Sequence, residues 1–322
     1  MSLEIDHVTK RFGTNVALDR LTFDVPRGAV FGFLGANGAG KTTTMRICLG
    51  ILDADAGEAR WEGTRTTDLS RRTWGYLPEE RGLYPRMTVL DQLVYFASLY
   101  GVPSDKARKD ALGWLDRFRI SDYASRRAEE LSKGNQQKVQ FIAAVLHDPD
   151  VLLMDEPFTG LDPVNLVLLR EAFLELRDRD RTLVFSTHQM EAAEALCESV
   201  AIVDHGRLVA GGTVSALKRA SGRRTVRVGI EGEAAPAWIA EVPGVRTVRP
   251  GAGHVELELD LGVEPAAVLS ALVSKGVAVT HFELTDPSLE AIFIEHVGHP
   301  ADDDDALAAG PSARQLTLGD VA

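Results

Sequence analysis

The segment FGFLGANGAGKTTTMRICLGIL, residues 31–52, decides the fold of this chain. Residues 29–34 form an apolar run that predicts a buried strand, and the apolar residues after the loop predict a helix. The loop between them fits the pattern G-x-x-x-x-G-K-[ST], which binds phosphate groups when it joins a strand to a helix. An ordinary glycine-rich turn is the alternative interpretation. Since both flanking elements are predicted, we expect a nucleotide site at this loop.

The residues of this loop suit a phosphate group chemically. Gly35, Gly38 and Gly40 let the backbone curl so that successive N–H groups point inward at an anion. The N-terminus of the following helix adds its unpaired N–H groups and its partial positive charge. Lys41 can reach the β- and γ-phosphates, and the hydroxyl of Thr42 can bind Mg²⁺. The loop therefore predicts a nucleoside triphosphate with Mg²⁺ as its ligand.

Composition limits the classes of protein to consider. The length of 322 residues predicts two domains. The 47 acidic residues against 35 basic ones give a net charge of −12, which argues against non-specific binding to nucleic acid or anionic lipid. Cys48 and Cys197 each lie in an apolar helical pattern, as expected of buried thiols in a reducing compartment. Without a signal region or a run of eighteen apolar residues, we expect a cytosolic protein that does not itself cross a membrane.

The order of predicted elements indicates two folded domains and a tail. Residues 1–220 begin with two alternating strands, continue with two helical segments between residues 88 and 118, and end with strands that alternate with helices. This order predicts an α/β domain with a parallel sheet core and an antiparallel layer at its N-terminal end. Residues 225–297 show the order βαββαβ, which predicts a small ferredoxin-like α+β domain. Residues 298–322 contain four consecutive aspartates and predict a disordered acidic tail.

A second motif, VLLMDEP at residues 151–157, predicts catalysis rather than binding alone. Four apolar residues bring Asp155 to the carboxyl end of a buried strand, where α/β sheets bind their ligands. Asp155 can hold Mg²⁺ beside Thr42, and Glu156 can polarise the water that attacks the γ-phosphate. A strand that merely ends in acidic turn residues is the alternative. With the phosphate loop upstream, the motif predicts ATP hydrolysis.

A third motif, LSKGNQQK at residues 131–138, resembles the signature of the ATP-binding cassette (ABC) proteins. Ser132 at a predicted helix N-cap and the flexible Gly134 create a second anion site at a helix N-terminus. One triphosphate does not need two such sites from one subunit. The resemblance implies that two copies form a pair, in which the signature of one copy closes over the nucleotide that the other holds. It also implies the ABC-type arrangement of a helical subdomain beside the sheet core.

Further matches extend over residues 1–220. Phe12 resembles the aromatic residue that stacks on adenine, and the alternative is a loop residue packed inward. Asp162, in TGLDP, resembles the acidic residue of the dimer-contact loop, and His188 resembles the switch histidine that contacts the γ-phosphate. The resemblance makes Glu156, His188 and Lys41 the expected catalytic residues. It assigns nucleotide contacts to a larger set: Phe12, Gly35, Asn37, Gly38, Gly40, Lys41, Thr42, Thr43, Ser132, Gly134, Asn135 and Asp162.

Two positions depart from the commonest family pattern. Glu79, in GYLPEERGLY, stands where a glutamine usually senses Mg²⁺ and the attacking water. We expect Glu79 to join Thr42 and Asp155 at the metal, although Glu80 is an alternative counterpart. The signature has Lys133 and Asn135 in place of the more frequent glycine and glutamine. These variants, and the closing TDPSLEAIFIEHVG, resemble a bacterial subgroup of exporters that extrude sodium, drugs or lipids through separate membrane subunits.

The leading hypothesis is an ATPase subunit that powers such an exporter. We expect a partner copy of this or a related subunit, a separate polytopic permease and a peripheral location on the inner face of the cell membrane. The segment 79–87 and the following helix would receive the permease.

The rival hypothesis is an ABC ATPase acting on ribosomes or chromosomes. The single phosphate loop of the chain argues against a ribosome-acting protein, and the lack of a heptad run between this loop and the signature argues against a chromosome-acting one. A module that holds ATP without turnover is the third possibility, and the intact catalytic residues argue against it. No nucleic acid partner is expected, and the exported substrate does not follow from the sequence.

Overall fold

The structure is a computed structural model, which describes residues 2–80, 82–221, 224–231, 237–251, 254–260 and 262–298. The predicted acidic tail, 298–322, lies outside these residues except for its first glycine. The elements of residues 1–220 are β1 (Ser2–Phe12), β2 (Asn15–Pro26), β3 (Val30–Leu34), α1 (Lys41–Cys48), β4 (Ala56–Trp61), β5 (Thr64–Arg65), β6 (Trp74–Leu77), α2 (Val89–Leu99), α3 (Ser104–Arg117), α4 (Lys133–Val145), β7 (Val151–Asp155), α5 (Pro163–Asp178), β8 (Thr182–Thr187), α6 (Met190–Leu196), β9 (Ser199–Asp204), β10 (Arg207–Thr213) and α7 (Val214–Ala220).

Two sheets form the first 220 residues, as predicted. One sheet is antiparallel with the order β2-β1-β4-β5. The other has the order β10-β9-β3-β8-β7-β6, and all its pairs are parallel except that of β9 with the edge strand β10. Both the parallel core and the antiparallel N-terminal layer are therefore confirmed. Helices α2 and α3 pack against each other and on α4, which gives the predicted helical part beside the core.

The parallel sheet is buried on both faces because successive side chains of its strands enter different cores. On β3, Phe31 and Phe33 belong to the core shared with α1 and the antiparallel sheet. Val30 and Leu34 belong to the core shared with α2–α6. This double burial explains why the central strands are continuous apolar runs rather than alternating ones.

The two cysteines lie inside these cores. Cys48 and Cys197 are free and buried, as predicted. Burial raises the pKa of the Cys48 thiol to about 12 and also raises that of Cys197. Because the reactive form of a cysteine is the thiolate, both residues act as small apolar side chains at neutral pH.

The C-terminal part has the predicted ferredoxin-like topology. Its elements are β11 (Arg224–Ile230), a 3-10 helix (Ala237–Glu241), β12 (Val245–Gly251), β13 (His254–Leu259), α8 (Pro265–Ser274), β14 (Val279–Thr285) and α9 (Leu289–Val297). The strands form an antiparallel sheet with the order β12-β13-β11-β14. The first predicted helix is a short 3-10 helix, because its few residues cannot close successive α-helical turns. The sheet, this segment and α8 share a core of their own.

The last helix, α9, packs elsewhere. Leu289, Ile292 and Phe293 are buried in the core that lies between the parallel sheet and its helices. Helix α9 contacts α6, α7 and β10 rather than completing the C-terminal core. After the C-terminal sheet, the chain thus returns at α9 to the core of residues 1–220, and the predicted domain boundary between residues 220 and 225 stays a prediction.

In the part of the chain that the structure describes, no helix combines the length and apolarity needed to cross a bilayer.

We expect Phe293→Ala to destabilise the protein by about 3–4 kcal/mol, because it leaves a cavity in the core between the parallel sheet and its helices. The free energy of unfolding would be measured by urea titration, followed by circular dichroism. Glu290→Ala, which changes an exposed residue of the same helix, serves as the control. An unchanged midpoint for Phe293→Ala would contradict the packing of α9 described above.

Candidate nucleotide site

One cavity of about 490 Å³ collects most of the predicted site residues. It lies where the hairpin of β1 and β2 meets the phosphate loop and the carboxyl ends of the parallel strands. The residues that line it come from the hairpin, the phosphate loop and these strand ends: Phe12, Asn15, Val16, Ala17, Asn37, Gly38, Gly40, Lys41, Thr42, Thr43, Glu79, Asp155, Glu156 and His205. The volume and the polar lining fit a nucleotide.

The phosphate loop joins β3 to α1, and two of its glycines, Gly35 and Gly40, are sterically required. Gly40 caps α1 with a φ of 103°, in the left-handed region. A Cβ on Gly40 would lie 2.5 Å from Leu18 Cδ2 and 2.8 Å from the oxygen of Ala17. A Cβ on Gly35 would lie 2.4 Å from the oxygen of Val203. A side chain at either position would therefore displace the loop from the neighbouring strands.

Lys41 is buried at the first turn of α1 and holds its ammonium group inside the loop. Its Nζ donates hydrogen bonds to the carbonyl oxygens of Gly35 (2.7 Å) and Ala36 (3.0 Å). It also lies 3.9 Å from Oε1 of Glu156. The positive charge is thus fixed between the curled backbone and the VLLMDEP motif, where phosphate oxygens would lie.

Thr42 and Asp155 meet although 113 residues separate them. Oγ1 of Thr42 donates to Oδ2 of Asp155 at 2.5 Å. The other carboxylate oxygen of Asp155 accepts a hydrogen bond from the hydroxyl of Ser186, on the neighbouring strand β8. A hydroxyl and a carboxylate with a phosphate beside them are the oxygen donors that Mg²⁺ prefers. These residues therefore fit Mg²⁺.

Glu156 is buried and surrounded by donors. Its φ of 48° is unusual for a residue with a side chain, and such strain is typical of functional sites. Oε1 accepts hydrogen bonds from the backbone N–H of His188 (3.1 Å) and from its Nδ1 (2.9 Å). Oε2 accepts hydrogen bonds from Thr187 (3.3 Å) and Thr159 (3.5 Å). Since a carboxylate only accepts, the contact with Nδ1 places a proton on that nitrogen of His188.

Glu79 lines the same cavity as the phosphate loop. Burial raises the pKa of its carboxyl group, and the charges of Asp155 and Glu156 raise it further. The charges of Asp155 and Glu156 therefore repel that of Glu79, and a divalent cation beside Glu79 would relieve that repulsion. The contribution of Glu79 to a metal site stays a prediction.

Phe12 ends β1 at the rim of the cavity. Its side chain is 50 % exposed, and Nζ of Lys10 lies 5.7 Å from the ring centroid. The alternative interpretation, an inward-packed loop residue, is therefore wrong. An exposed ring beside the phosphate loop is available for stacking on a base.

The signature residues lie apart from this cavity. Ser132 caps α4 by accepting a hydrogen bond from the N–H of Asn135 (3.4 Å), which confirms the predicted N-cap. Asp162 caps α5 in the same way, through the N–H of Asn165 (2.9 Å). The N-termini of α4 and α5 lie side by side. A Cβ built on Gly134, in the first turn of α4, would lie 3.6 Å from Nδ2 of Asn165, in the first turn of α5. Among the described residues that line the cavity, none comes from the signature or from residues 159–163.

Comparisons with known proteins agree with this geometry. The sequence profile of a family described as ABC transporter matches residues 18–159, and that of the ATP-binding protein DrrA1-3-like C-terminal domain matches residues 212–297. An uncharacterized ABC transporter ATP-binding protein of Bacillus subtilis is 45 % identical over 92 % of this chain and 98 % of its own length. The chain belongs to the ABC transporter ATP-binding proteins.

This ABC ATPase is also similar to proteins with more specific names. A Nod factor export ATP-binding protein I of Paraburkholderia xenovorans is 39 % identical over 67 % of this chain and 72 % of its own length. A solved structure of an ATP-binding subunit of an ABC transporter superposes with a TM-score of 0.65 at 32 % identity, covering 69 % of this chain and 94 % of that one. Nucleotide binding and ATP hydrolysis, predicted from the motifs, are thus confirmed at the level of the family.

Several residues of the ATPase cavity were missed by the sequence analysis. Asn15 and His205 line the cavity, and Ser186 and Thr187 hold the two acidic residues of the VLLMDEP motif. His205 follows the end of the buried strand β9, just as His188 follows β8. Since ligands bind at the carboxyl ends of parallel strands, that position was the available signal.

We expect Phe12→Ala to weaken ATP binding about tenfold, because the variant loses the ring that can stack on a base. Isothermal titration with ATP would measure the dissociation constant, and Phe12→Tyr, which keeps the ring, serves as the control. Unchanged affinity in Phe12→Ala would show that the ring does not contact the base.

Proposed function

We propose that this ATPase works as a pair of copies that enclose two ATP molecules and drive export through a separate membrane subunit. The observation that carries the proposal is the separation of the two anion sites within one chain. The cavity holds the phosphate loop with Asp155 and Glu156, whereas Ser132 and Gly134 present the N-terminus of α4 elsewhere. A second copy would bring its signature to the nucleotide in this cavity.

The proposed signature surface is formed by the N-terminus of α4. Helix α4 spans 13 residues, and the hydroxyl of Ser132 caps it by accepting a hydrogen bond from the N–H of Asn135. Its positive end can therefore stabilise a phosphate group. Asp162 and Asn135 lie beside it, where we propose that they contact the partner copy and its nucleotide.

For the hydrolysis step, we assign the water-polarising role to Glu156. Its carboxylate would accept a hydrogen bond from water and then take up its proton, while the water oxygen bonds to the γ-phosphorus. The bond from that phosphorus to the β–γ bridging oxygen breaks, and the bridging oxygen leaves with ADP. His188 would hold Glu156 through Nδ1, and Lys41 would stabilise the phosphate charge. Mg²⁺, held by Thr42 and Asp155 with Glu79 nearby, would neutralise charge on the β- and γ-phosphate oxygens.

We place the membrane subunit at an exposed aromatic surface formed by Tyr84, Tyr95, Phe96 and Leu99. The three ring centroids lie 5.7–5.9 Å apart, and Tyr84, Tyr95 and Leu99 are 47 %, 42 % and 60 % exposed. An apolar groove of about 190 Å³ opens beside them, between Tyr76 and α4. Exposed aromatic clusters beside a groove suit a short helix of a partner.

This arrangement would hold the ATPase in the cytoplasm at the inner face of the cell membrane. It also links the docking surface to the ATP site, because the segment 79–87 contributes to both. Export is the direction that the name of the Nod factor relative supports.

We expect Glu156→Gln to bind ATP, to accumulate as a dimer and to lose phosphate release by at least about 100-fold, because an amide cannot take up the proton of water. Phosphate release and size-exclusion chromatography in ATP would measure the two effects. Glu171→Gln, an exposed change on α5, serves as the control. Normal turnover in Glu156→Gln would contradict the catalytic role, and a monomer that turns over normally at all concentrations would contradict the pair.

We expect Leu99→Glu to abolish co-purification with a polytopic membrane protein while ATP binding remains normal, because it introduces a charge into the apolar docking surface. Leu112→Glu, on the exposed side of α3, is the matched control, since Leu112 is 43 % exposed. Pull-down from detergent-solubilised native membranes would measure the association. Equal capture of both variants would exclude this surface as the docking site.

A further inference from the structure

The sheet of β11–β14 is inserted between two helices of the ATPase domain. Helix α7 precedes the sheet, and helix α9 follows it. Leu217 of α7 packs against the same core in which Leu289, Ile292 and Phe293 of α9 are buried. The sheet keeps a separate core with α8. Both ends of the inserted unit are therefore anchored in the domain that hydrolyses ATP.

One carboxylate joins the two anchors. Oε2 of Glu194, on α6, accepts a hydrogen bond from the backbone N–H of Leu289 at 2.8 Å, at the first turn of α9. Oε1 of Glu194 accepts a hydrogen bond from Nζ of Lys218 at 2.5 Å, near the end of α7. Lys218 is 16 % and Glu194 31 % exposed, so water screens this pair only in part. Glu194 thus holds together the point where the chain enters the sheet unit and the point where it returns.

Helix α6 connects this carboxylate to the ATP site. It begins at Met190, two residues after His188, and Met190 and Ala193 are buried in the core. Its seven residues form about two turns, so Glu194 lies about one turn from the N-terminal end of the helix. At that end His188 donates to Glu156 through both its backbone N–H and Nδ1. The hydrogen bonds of Glu194 and those of Glu156 therefore lie at opposite ends of one short segment, residues 188–194.

The sheet faces this junction with charged side chains. Arg249, Glu256, Arg227 and Glu283 occupy one row across the four strands, with alternating sign. Three of them, Arg249, Glu256 and Arg227, line a polar cavity of about 70 Å³ together with Glu194. A polar space with room for several water molecules between two units permits relative movement more readily than an apolar core does.

We propose that Glu194 is a positioning residue for ATP hydrolysis, which couples the orientation of the C-terminal sheet to the placement of His188 against Glu156. The coupling rests on the proposed role of His188. In this arrangement the sheet unit regulates turnover, because a displacement of its two anchors shifts α6 and with it the histidine.

The test compares Glu194→Ala, Glu194→Gln, Glu191→Gln and His188→Ala in the full-length chain. Glu194→Gln keeps an oxygen that can accept from Leu289, whereas Glu194→Ala removes it. Glu191→Gln makes the same chemical change at an exposed position of α6. The measurements are kcat per ATP-binding site, counted by calorimetry, KM for ATP, and the NMR resonances of the His188 ring, identified by their absence in His188→Ala.

We expect Glu194→Ala to lower kcat per site about fivefold, the rate factor that corresponds to one hydrogen bond, with KM changed by less than about twofold. The His188 resonances should shift in this variant. Glu194→Gln should recover most of the rate, and Glu191→Gln should match the wild type. A merely structural role would lower the number of binding sites without changing kcat per site.

The outcomes separate the two proposals. If His188→Ala loses turnover but Glu194→Ala retains normal kcat and unshifted His188 resonances, the coupling is overturned and the role of His188 stands. If His188→Ala retains normal turnover, the proposed role of His188 fails and the coupling fails with it.

Discussion

Double burial of the parallel sheet is the constraint on which the rest of the structure depends. Since β3, β7 and β8 have apolar neighbours on both faces, their backbone polar groups must pair within the sheet, and their polar side chains can lie only at its edge. The carboxyl ends of the three strands therefore bring the phosphate loop, Asp155 and Glu156, and His188 to one place. The site is a consequence of how the sheet is buried.

At that edge, charged groups are buried only because they satisfy one another. Lys41, Asp155 and Glu156 are each at most 6 % exposed, and each has hydrogen-bonding partners from another segment of the loop or the sheet. A buried charge without such partners would cost several kcal/mol. The partners also fix the orientation of each group at the cavity.

The remaining surfaces extend outward from this edge. The phosphate loop lines the cavity, the cap residues of α4 do not, and α6 begins two residues after His188 and carries Glu194, which bonds to the first turn of α9. The inserted sheet has its own core, so it is held to the ATPase domain through its two anchors and a polar boundary. The ATP site and the inserted sheet are therefore packed around different cores.

The sequence by itself determined the elements and motifs whose physics is local. The strand–loop–helix of residues 31–52, the apolar strand ending at Asp155, the N-cap Ser132 and the order of the C-terminal strands all follow from a few adjacent residues. Tertiary structure alone decided where these pieces meet. It moved α9 into the ATPase core, because an apolar helical face requires burial but does not specify against which core. It brought His205 into the cavity, kept Ser132 out of it and joined Glu194 to Leu289. Such contacts depend on the path of the chain between distant residues, which no local pattern encodes.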